Sequence, residues 1–369
     1  MKHISGVLAA LMILLMPMAS TLAEPDVPSQ AAVLLEATTG RVLYEKDAHA
    51  KRPMASTTKV MTCLLALEHG DIDTMVRVPE AAVGTEGSSM YLQSGEVLSL
   101  RDLLYGLMLT SGNDAAATIA IHISGSIPDF AALMNKKAEE LGCKNTNFTN
   151  PNGLPDANHY TTAYDLALIC ARAMCDERFA EIVGTQYYTT QTGEYSRKLK
   201  NKNRILWEYE GGNGIKTGYT KAAGKCLTFA AKRDNLQLVG AVLASSDMWS
   251  SAKDLLRYGF DRVELQSLAD NMNPIAALTV LSGEKTVLEV YARQRLSYPL
   301  RRDGSDTVRV DMQCADSVVA PVYAGQAVGQ LYLFVNEVCV AQTELIVHES
   351  AQRHGFSYYL EQLTKEWLS

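Results

Sequence analysis

A serine and a lysine three residues apart open an apolar run, Met54-Ala55-Ser56-Thr57-Thr58-Lys59-Val60-Met61-Thr62, and this pairing constrains the fold more than any other stretch. Val60, Met61, Leu64, Leu65 and Leu67 recur at the helical interval, which predicts a helix in which residues three apart share a face. Lys59 then stands beside Ser56. A serine hydroxyl is a poor nucleophile at neutral pH, and a lysine becomes its base only where a dry site and neighbouring cations lower the amine's pKa toward neutrality. Alone, the pair fits equally well a capped helix with a solvated lysine.

Two further clusters change the balance. Ser111-Gly112-Asn113 follows a predicted helix that opens at Ser99-Leu100-Arg101-Asp102 with a serine cap, and it falls at a turn between helices. Lys216-Thr217-Gly218 sits in a predicted strand, Ile215 to Thr220, whose glycine lets a ligand backbone approach closely. Ser-x-x-Lys, Ser-x-Asn and Lys-Thr-Gly in that order form a combination known from class A β-lactamases and penicillin-binding proteins. With its flanks, Leu103 to Ala116 and Asn213 to Thr220, the chain resembles the low-molecular-mass penicillin-binding proteins that are serine-type D-alanyl-D-alanine carboxypeptidases, from about Ala31 to about Val263.

That resemblance implies roles. Ser56 is the nucleophile, Lys59 its base, Ser111 with Lys216 the relay to the leaving amine, and Asn113 the holder of the substrate amide. The backbone N–H groups of Ser56 and Tyr219 receive the oxyanion beside Gly218. Lys216, Thr217 and Thr220 grip the terminal carboxylate, with Lys202 as a second cation. The expected partners are a peptidoglycan stem peptide ending in D-Ala-D-Ala and β-lactam inhibitors, with no cofactor and no metal. Tyr219 stands where some relatives have histidine, and the loop Ala244 to Met248 lacks an arginine that some relatives place near the carboxylate. His159, in the Pro, Gly and Asn-rich loop from Asn150 to Tyr160, is read as structural because the serine already has a base. A β-lactamase and a catalytically silent wall-binding protein remain as rival readings. The first lacks an acidic residue in a matching loop to drive deacylation, and the second has no need of Lys59.

Length and charge bound the rest. A chain of 369 residues divides into about two domains, and a net charge of -7 argues against a nucleic-acid partner. Lys2 and His3 precede an apolar stretch, Val7 to Met16, too short to span a bilayer, so residues 1–23 read as an export signal and the mature protein as extracytoplasmic. Residues 24–267 are expected to form an α+β domain of the penicillin-binding/β-lactamase type, an antiparallel sheet flanked by helices. Residues 268–348 shift to short β-rich pieces, matching the small β-sandwich domain of that family. Residues 349–369 form a terminal amphipathic helix, either lying on the outer face of the cytoplasmic membrane or packed on the β domain. The seven cysteines show no zinc spacing and mostly sit in apolar runs as small hydrophobes; Cys314 with Cys339 is the one bridge considered.

Overall fold

Alternation along the first strand shows why the chain needs two layers of helix. In the computed structural model, which describes residues 24–368, β1 (Ser29–Glu36) sends Val33 and Leu35 into one core and Ala32 and Leu34 into another. A strand buried on both faces reads as an unbroken apolar run, and Ala31 to Leu35 are all fully buried. β1 turns through Thr38 to Gly40 into β2 (Val42–Lys46), forming a hairpin.

A 3-10 turn, Ala55–Thr58, then leads into α1 (Lys59–His69). A short hairpin of β3 (Met75–Arg77) and β4 (Val97–Ser99) precedes α2 (Leu100–Tyr105), whose Ser99 hydroxyl accepts from Asp102 N as a cap should. Next come α3 (Asn113–Ser124), α4 (Ile127–Glu140), α5 (Ala163–Met174) and α6 (Glu177–Gly184). The hairpin of β5 (Tyr187–Thr189) and β6 (Lys198–Lys200) and the short α7 (Ile205–Glu208) bring the chain back to the sheet. There β7 (Gly212–Thr220), β8 (Gly224–Arg233) and β9 (Leu236–Ser245) complete an antiparallel sheet in the order β2-β1-β9-β8-β7. Residues of α1 to α6 pack with one face of this sheet, and α8 (Met248–Arg262) covers the other. β7 is therefore an edge strand, with one row of backbone groups open to a partner.

The second domain begins where α8 ends. β10 (Val263–Ala269) pairs with β13 (Leu296–Arg301), with Val263 and Leu265 packed on the first domain's core and Leu268 and Ala269 on the second's, so the strand spans the boundary expected at residue 267. Helix runs into strand with no Gly or Pro between them, so composition gave no punctuation to read. The larger sheet comprises β11 (Ala276–Leu281), β12 (Val287–Ala292), β14 (Val308–Cys314), β15 (Ser317–Val319), β16 (Ala327–Val335) and β17 (Val338–Val347), ordered β14-β16-β17-β12-β11-β15. Leu296, Tyr298 and Leu300 of the small sheet share a core with Leu278, Val290 and Leu333 of the large one, which makes a sandwich.

Two expectations change. Cys314 lies opposite Gly329 and Cys339 opposite Phe334 on the intervening β16, a separation of roughly 17 Å along that strand alone, so the bridge cannot form and both thiols are free. The terminal helix, α9 (Phe356–Leu368), starts at Phe356 rather than 349, and Phe356, Leu360, Leu363 and Trp367 are all exposed. It therefore does not bury this apolar set on the β domain. No single described helix is long and apolar enough to cross a membrane. The proposed export signal lies outside the described residues.

Candidate active site

The site starts from a strained turn. Ala55, a non-glycine residue, is held at φ 49°, in the left-handed region that costs an L-residue about 1 to 2 kcal/mol. What holds it is a set of local bonds: the Thr57 hydroxyl donates to Met54 O at 2.6 Å and the Thr58 hydroxyl to Ala55 O at 2.9 Å. The turn that follows is 3-10, in which residues three apart eclipse, so Ser56 and Lys59 stack more directly than in an α-helix.

Lys59 is completely buried, and its amine has three partners: Ser56 Oγ at 3.1 Å, Asn113 Oδ1 at 2.6 Å and Asn152 O at 2.6 Å. Burial pushes its pKa well below the usual lysine value, with the positive charge of Lys216 second, Asp114 opposing and Lys202 adding to the depression. The dry site and the neighbouring cation that the sequence reading required both act, and desolvation is the larger cause. The partners also orient the amine. Asn152 O can only accept, and Asn113 presents its oxygen because its Nδ2 donates to Glu86 O. A neutral amine gives its two hydrogens to these acceptors and turns its lone pair to the one partner with a proton to give, the Ser56 hydroxyl.

Two loops set this geometry. Asn113 N donates to Ser88 O at 2.7 Å, and the buried Asp114 carboxylate accepts from Ser89 Oγ, Met90 N and Leu92 N, fixing the 86–92 segment over the start of α3. On the other side, the Thr62 hydroxyl donates to Pro151 O at 2.6 Å. His159 braces the same loop: Thr149 N donates to its Nδ1 at 3.1 Å, which leaves Nε2 to donate to Thr58 Oγ1 at 2.8 Å. Burial, with the Lys59 charge adding to it against Asp156, lowers the His159 pKa to about 4, so the ring is a neutral strut under the nucleophile turn.

Ser111 ends a π-helical turn, Gly106–Thr110, at φ 68°. Its hydroxyl lines the cleft of about 560 Å³ that Ser56, Lys202, Thr217 and Tyr219 also line, and it makes no hydrogen bond among the described residues. Lys216 is buried, donates to Thr217 O at 3.1 Å, and is pulled down to about 7 by burial and by Lys202. No hydrogen bond joins Lys216 to Ser111 among the described residues. Gly218 brings β7 against the nucleophile turn: a Cβ there would stand 3.1 Å from Met54 O, Ser56 N and Thr57 N. Tyr219 is largely exposed on the cleft wall. Thr220 stands apart, with its hydroxyl accepting from Ala223 N and its side facing a neighbouring cleft.

Two contributors escaped the sequence reading. Asn152 acts through its main-chain carbonyl, which no residue type advertises. The only hint was the Asn-Pro-Asn-Gly composition of a tight loop. Lys225 lines the same cleft because β8 pairs it with Tyr219, and it donates to Ser246 O at 3.1 Å.

Comparison with known proteins agrees with this architecture domain by domain. Residues 18–247 match the family described as D-alanyl-D-alanine carboxypeptidase, and residues 264–353 the C-terminal domain of penicillin-binding protein 5. The chain is 34% identical to the D-alanyl-D-alanine carboxypeptidase DacF of Bacillus subtilis, over 92% of this chain and 90% of that one. Among solved structures, penicillin-binding protein 5 from Haemophilus influenzae superposes with a TM-score of 0.73 at 29% identity, covering 90% of this chain and all of the other. The Streptomyces K15 DD-transpeptidase superposes with a TM-score of 0.62 at 34% identity, over 65% of this chain and 99% of its own. These matches, over an antiparallel sheet flanked by helices and followed by a β-sandwich, place this chain in the D-alanyl-D-alanine carboxypeptidase family of serine peptidases.

Proposed function

We propose that the protein removes the terminal D-alanine from peptidoglycan stem peptides through an acyl-enzyme on Ser56. The observation that carries this reading is the Lys59 amine, buried, 3.1 Å from Ser56 Oγ and held by two obligate acceptors, which leaves its lone pair for the serine hydroxyl when the amine is neutral. Lys59 takes the hydroxyl proton as Oγ attacks the carbonyl carbon of the D-Ala-D-Ala bond. The oxyanion is received by the Ser56 and Tyr219 N–H groups, each worth about 3 kcal/mol at such a site. The C–N bond breaks, the amine takes a proton by way of Ser111, D-alanine leaves, and water then cleaves the ester. Release of the product carboxylate restores Ser56.

The open edge of β7 suits an extended peptide, which would pair along it as an added strand. Lys202 lines this cleft and the buried Lys216 lies beside Thr217; they would draw a terminal carboxylate, with Thr217 and Ser111 as hydroxyl donors, while Lys225 stands further along, opposite Tyr219. Asn113, already engaged by Lys59 and Glu86, orients the base and would meet the substrate amide only by sharing those bonds. Thr220 is assigned no part in holding the carboxylate. A β-lactam would enter as a strained amide with a carboxylate at the same two positions.

The family reading also supports work outside the cytoplasmic membrane, with residues 1–23 as export signal. The exposed apolar residues of α9 favour a helix resting on a membrane surface. The decisive experiment is release of D-alanine from a stem pentapeptide by the full chain. Ser56→Ala should abolish both release and labelling by penicillin, and Lys59→Ala should slow acylation by about 100-fold or more. Release that survives in Ser56→Ala would end the reading.

A further inference from the structure

The cleft that Thr220 faces is a built site with no assigned occupant. It measures about 530 Å³, has an apolar floor that includes Met54, Leu154 and Pro155, and carries three charged side chains, Lys51, Arg52 and Asp156. Two cations there lack anionic partners. Lys51 lies over the Tyr160 ring at 4.6 Å from its centroid, and Arg52 bonds Gln30 while its buried Nε–H has no hydrogen-bond partner. Neither is in an ion pair among the described residues. Asp156 accepts from Asn158 N through one carboxylate oxygen, and the other makes no hydrogen bond among the described residues.

Its position relative to the nucleophile follows from the chain. Ala55 lines this cleft and Ser56 the other; Thr220 lines this one and Tyr219 the other. The open edge of β7 therefore runs from one cleft into the next. With the terminal carboxylate beside Lys202 and Lys216, the acyl part of the substrate continues past Tyr219, level with Lys225, toward Thr220 at about 3.3 Å per residue. The residue just upstream of the acyl D-alanine then sets its side chain at the mouth of the second cleft.

We infer that this cleft is a subsite for the zwitterionic side-chain end of a diamino-dicarboxylic residue at that upstream position. Lys51 and Arg52 receive the side-chain carboxylate, Asp156 the ammonium, and the apolar floor the methylene chain. Lysine at the same position offers the ammonium alone and leaves the two cations unmatched. The inference rests on the carboxypeptidase reading, because that reading sets the direction of the peptide.

The test compares kcat/KM for D-alanine release from three peptides of the form acyl-X-D-Ala-D-Ala. In these, X is diaminopimelic acid with a free side-chain end, the same residue with that carboxylate converted to an amide, or lysine. The native protein should favour the free diacid over its amide by about tenfold, the value of one charge-assisted contact. Lys51→Gln with Arg52→Gln should bring the ratio toward one, and the exposed Lys51→Glu, which leaves the core untouched, should do so by charge reversal. Each ratio is internal to one variant, so partial loss of folded protein does not distort it. Equal rates on all three peptides with the native protein, or a ratio unmoved by both variants, overturns the subsite while the carboxypeptidase reading stands. Release from none of the three overturns both.

Discussion

The two domains treat polar side chains in opposite ways. Among the described residues, every buried polar or charged residue except Thr343 lies between Ser29 and Ser251, including Lys59, Lys216, Asp102, Asp114 and His159. The second domain keeps its charges on the surface, as in Arg302 with Glu264, where the side chains are 50% and 41% exposed. Burial of an ionisable group is costly without partners, and the first domain meets that cost with a dense bond network around one serine. The second domain carries no such network and reads as support. The contrast predicts that equivalent insults will be chemical in one domain and nearly silent in the other.

The sharpest version uses two glycines with the same backbone strain. Gly153 and Gly325 adopt φ of 86° and 82°. Alanine at either position has the left-handed conformation to overcome, about 1 to 2 kcal/mol. Only at Gly153 does the new Cβ also meet the main chain, 1.9 Å from Ala55 O, whereas at Gly325 nothing lies within 4 Å. Gly153→Ala must push the loop away from the residue before the nucleophile and carry Asn152 O off Lys59. We expect acylation by labelled penicillin to slow by about 100-fold, the scale of a 1 Å misplacement. Gly325→Ala should acylate at the native rate and lose only about 1 kcal/mol of stability in urea unfolding. Similar acylation rates in the two variants would remove the distinction.

His159 gives the same contrast a pH signature. Its folded pKa lies near 4 against about 6.5 unfolded, so between those values the unfolded chain holds the extra proton. The stability that depends on the neutral ring is complete above pH 6.5 and is lost as pH falls toward 4, by about 3 kcal/mol. Urea midpoints measured from pH 7 to 4 should trace that loss, and His159→Gln should flatten it. A native slope that persists in the variant would show that the strut is not the source.

How much of this was legible beforehand depends on which atoms do the work. Ser56, Lys59, Ser111 and Lys216 stood out by residue type and spacing, and the cap at Ser99 fell where its side chain requires. Asn113 was visible as a member of the site but not as a partner of Lys59, because an amide offers two ends and only the fold decides what meets each. Asn152 was invisible, since its contribution is a carbonyl that every residue owns. The passage from α8 into β10 carried no signal, because helix meets strand there without a loop.

One buried ion pair crosses between the domains and marks the limit of the contrast. Arg41, beyond the β1 strand, binds Asp306 through Nη2 and Nη1 at 2.8 and 2.9 Å, with side chains only 11% and 2% exposed. Burial pushes the Asp306 carboxyl up, but Arg41, the Arg301 N–H and Asn336 outweigh it and hold the pKa at about 2. The stabilisation is present above pH 3.8 and lost as pH falls toward 2, about 2 kcal/mol in all. Asp306→Asn should therefore lower the unfolding free energy at pH 7 by about that amount while penicillin acylation stays at the native rate.

The smallest expected effect sharpens the comparison from below. Arg302 Nη1 and Glu264 Oε2 are 2.7 Å apart, a distance as short as that of the interdomain pair, yet both side chains are in water for about half their surface. Solvent screens the attraction and each long side chain loses freedom in forming it, so exposed pairs contribute about 0 to 1 kcal/mol. A double-mutant cycle of Glu264→Gln and Arg302→Ala should return a coupling below about 0.5 kcal/mol, and 1 M salt should erase it. The same cycle on Arg41 and Asp306 should exceed 1 kcal/mol and survive the salt, because the pair is shielded from it. Equal couplings would mean that burial is not what separates the two classes of contact.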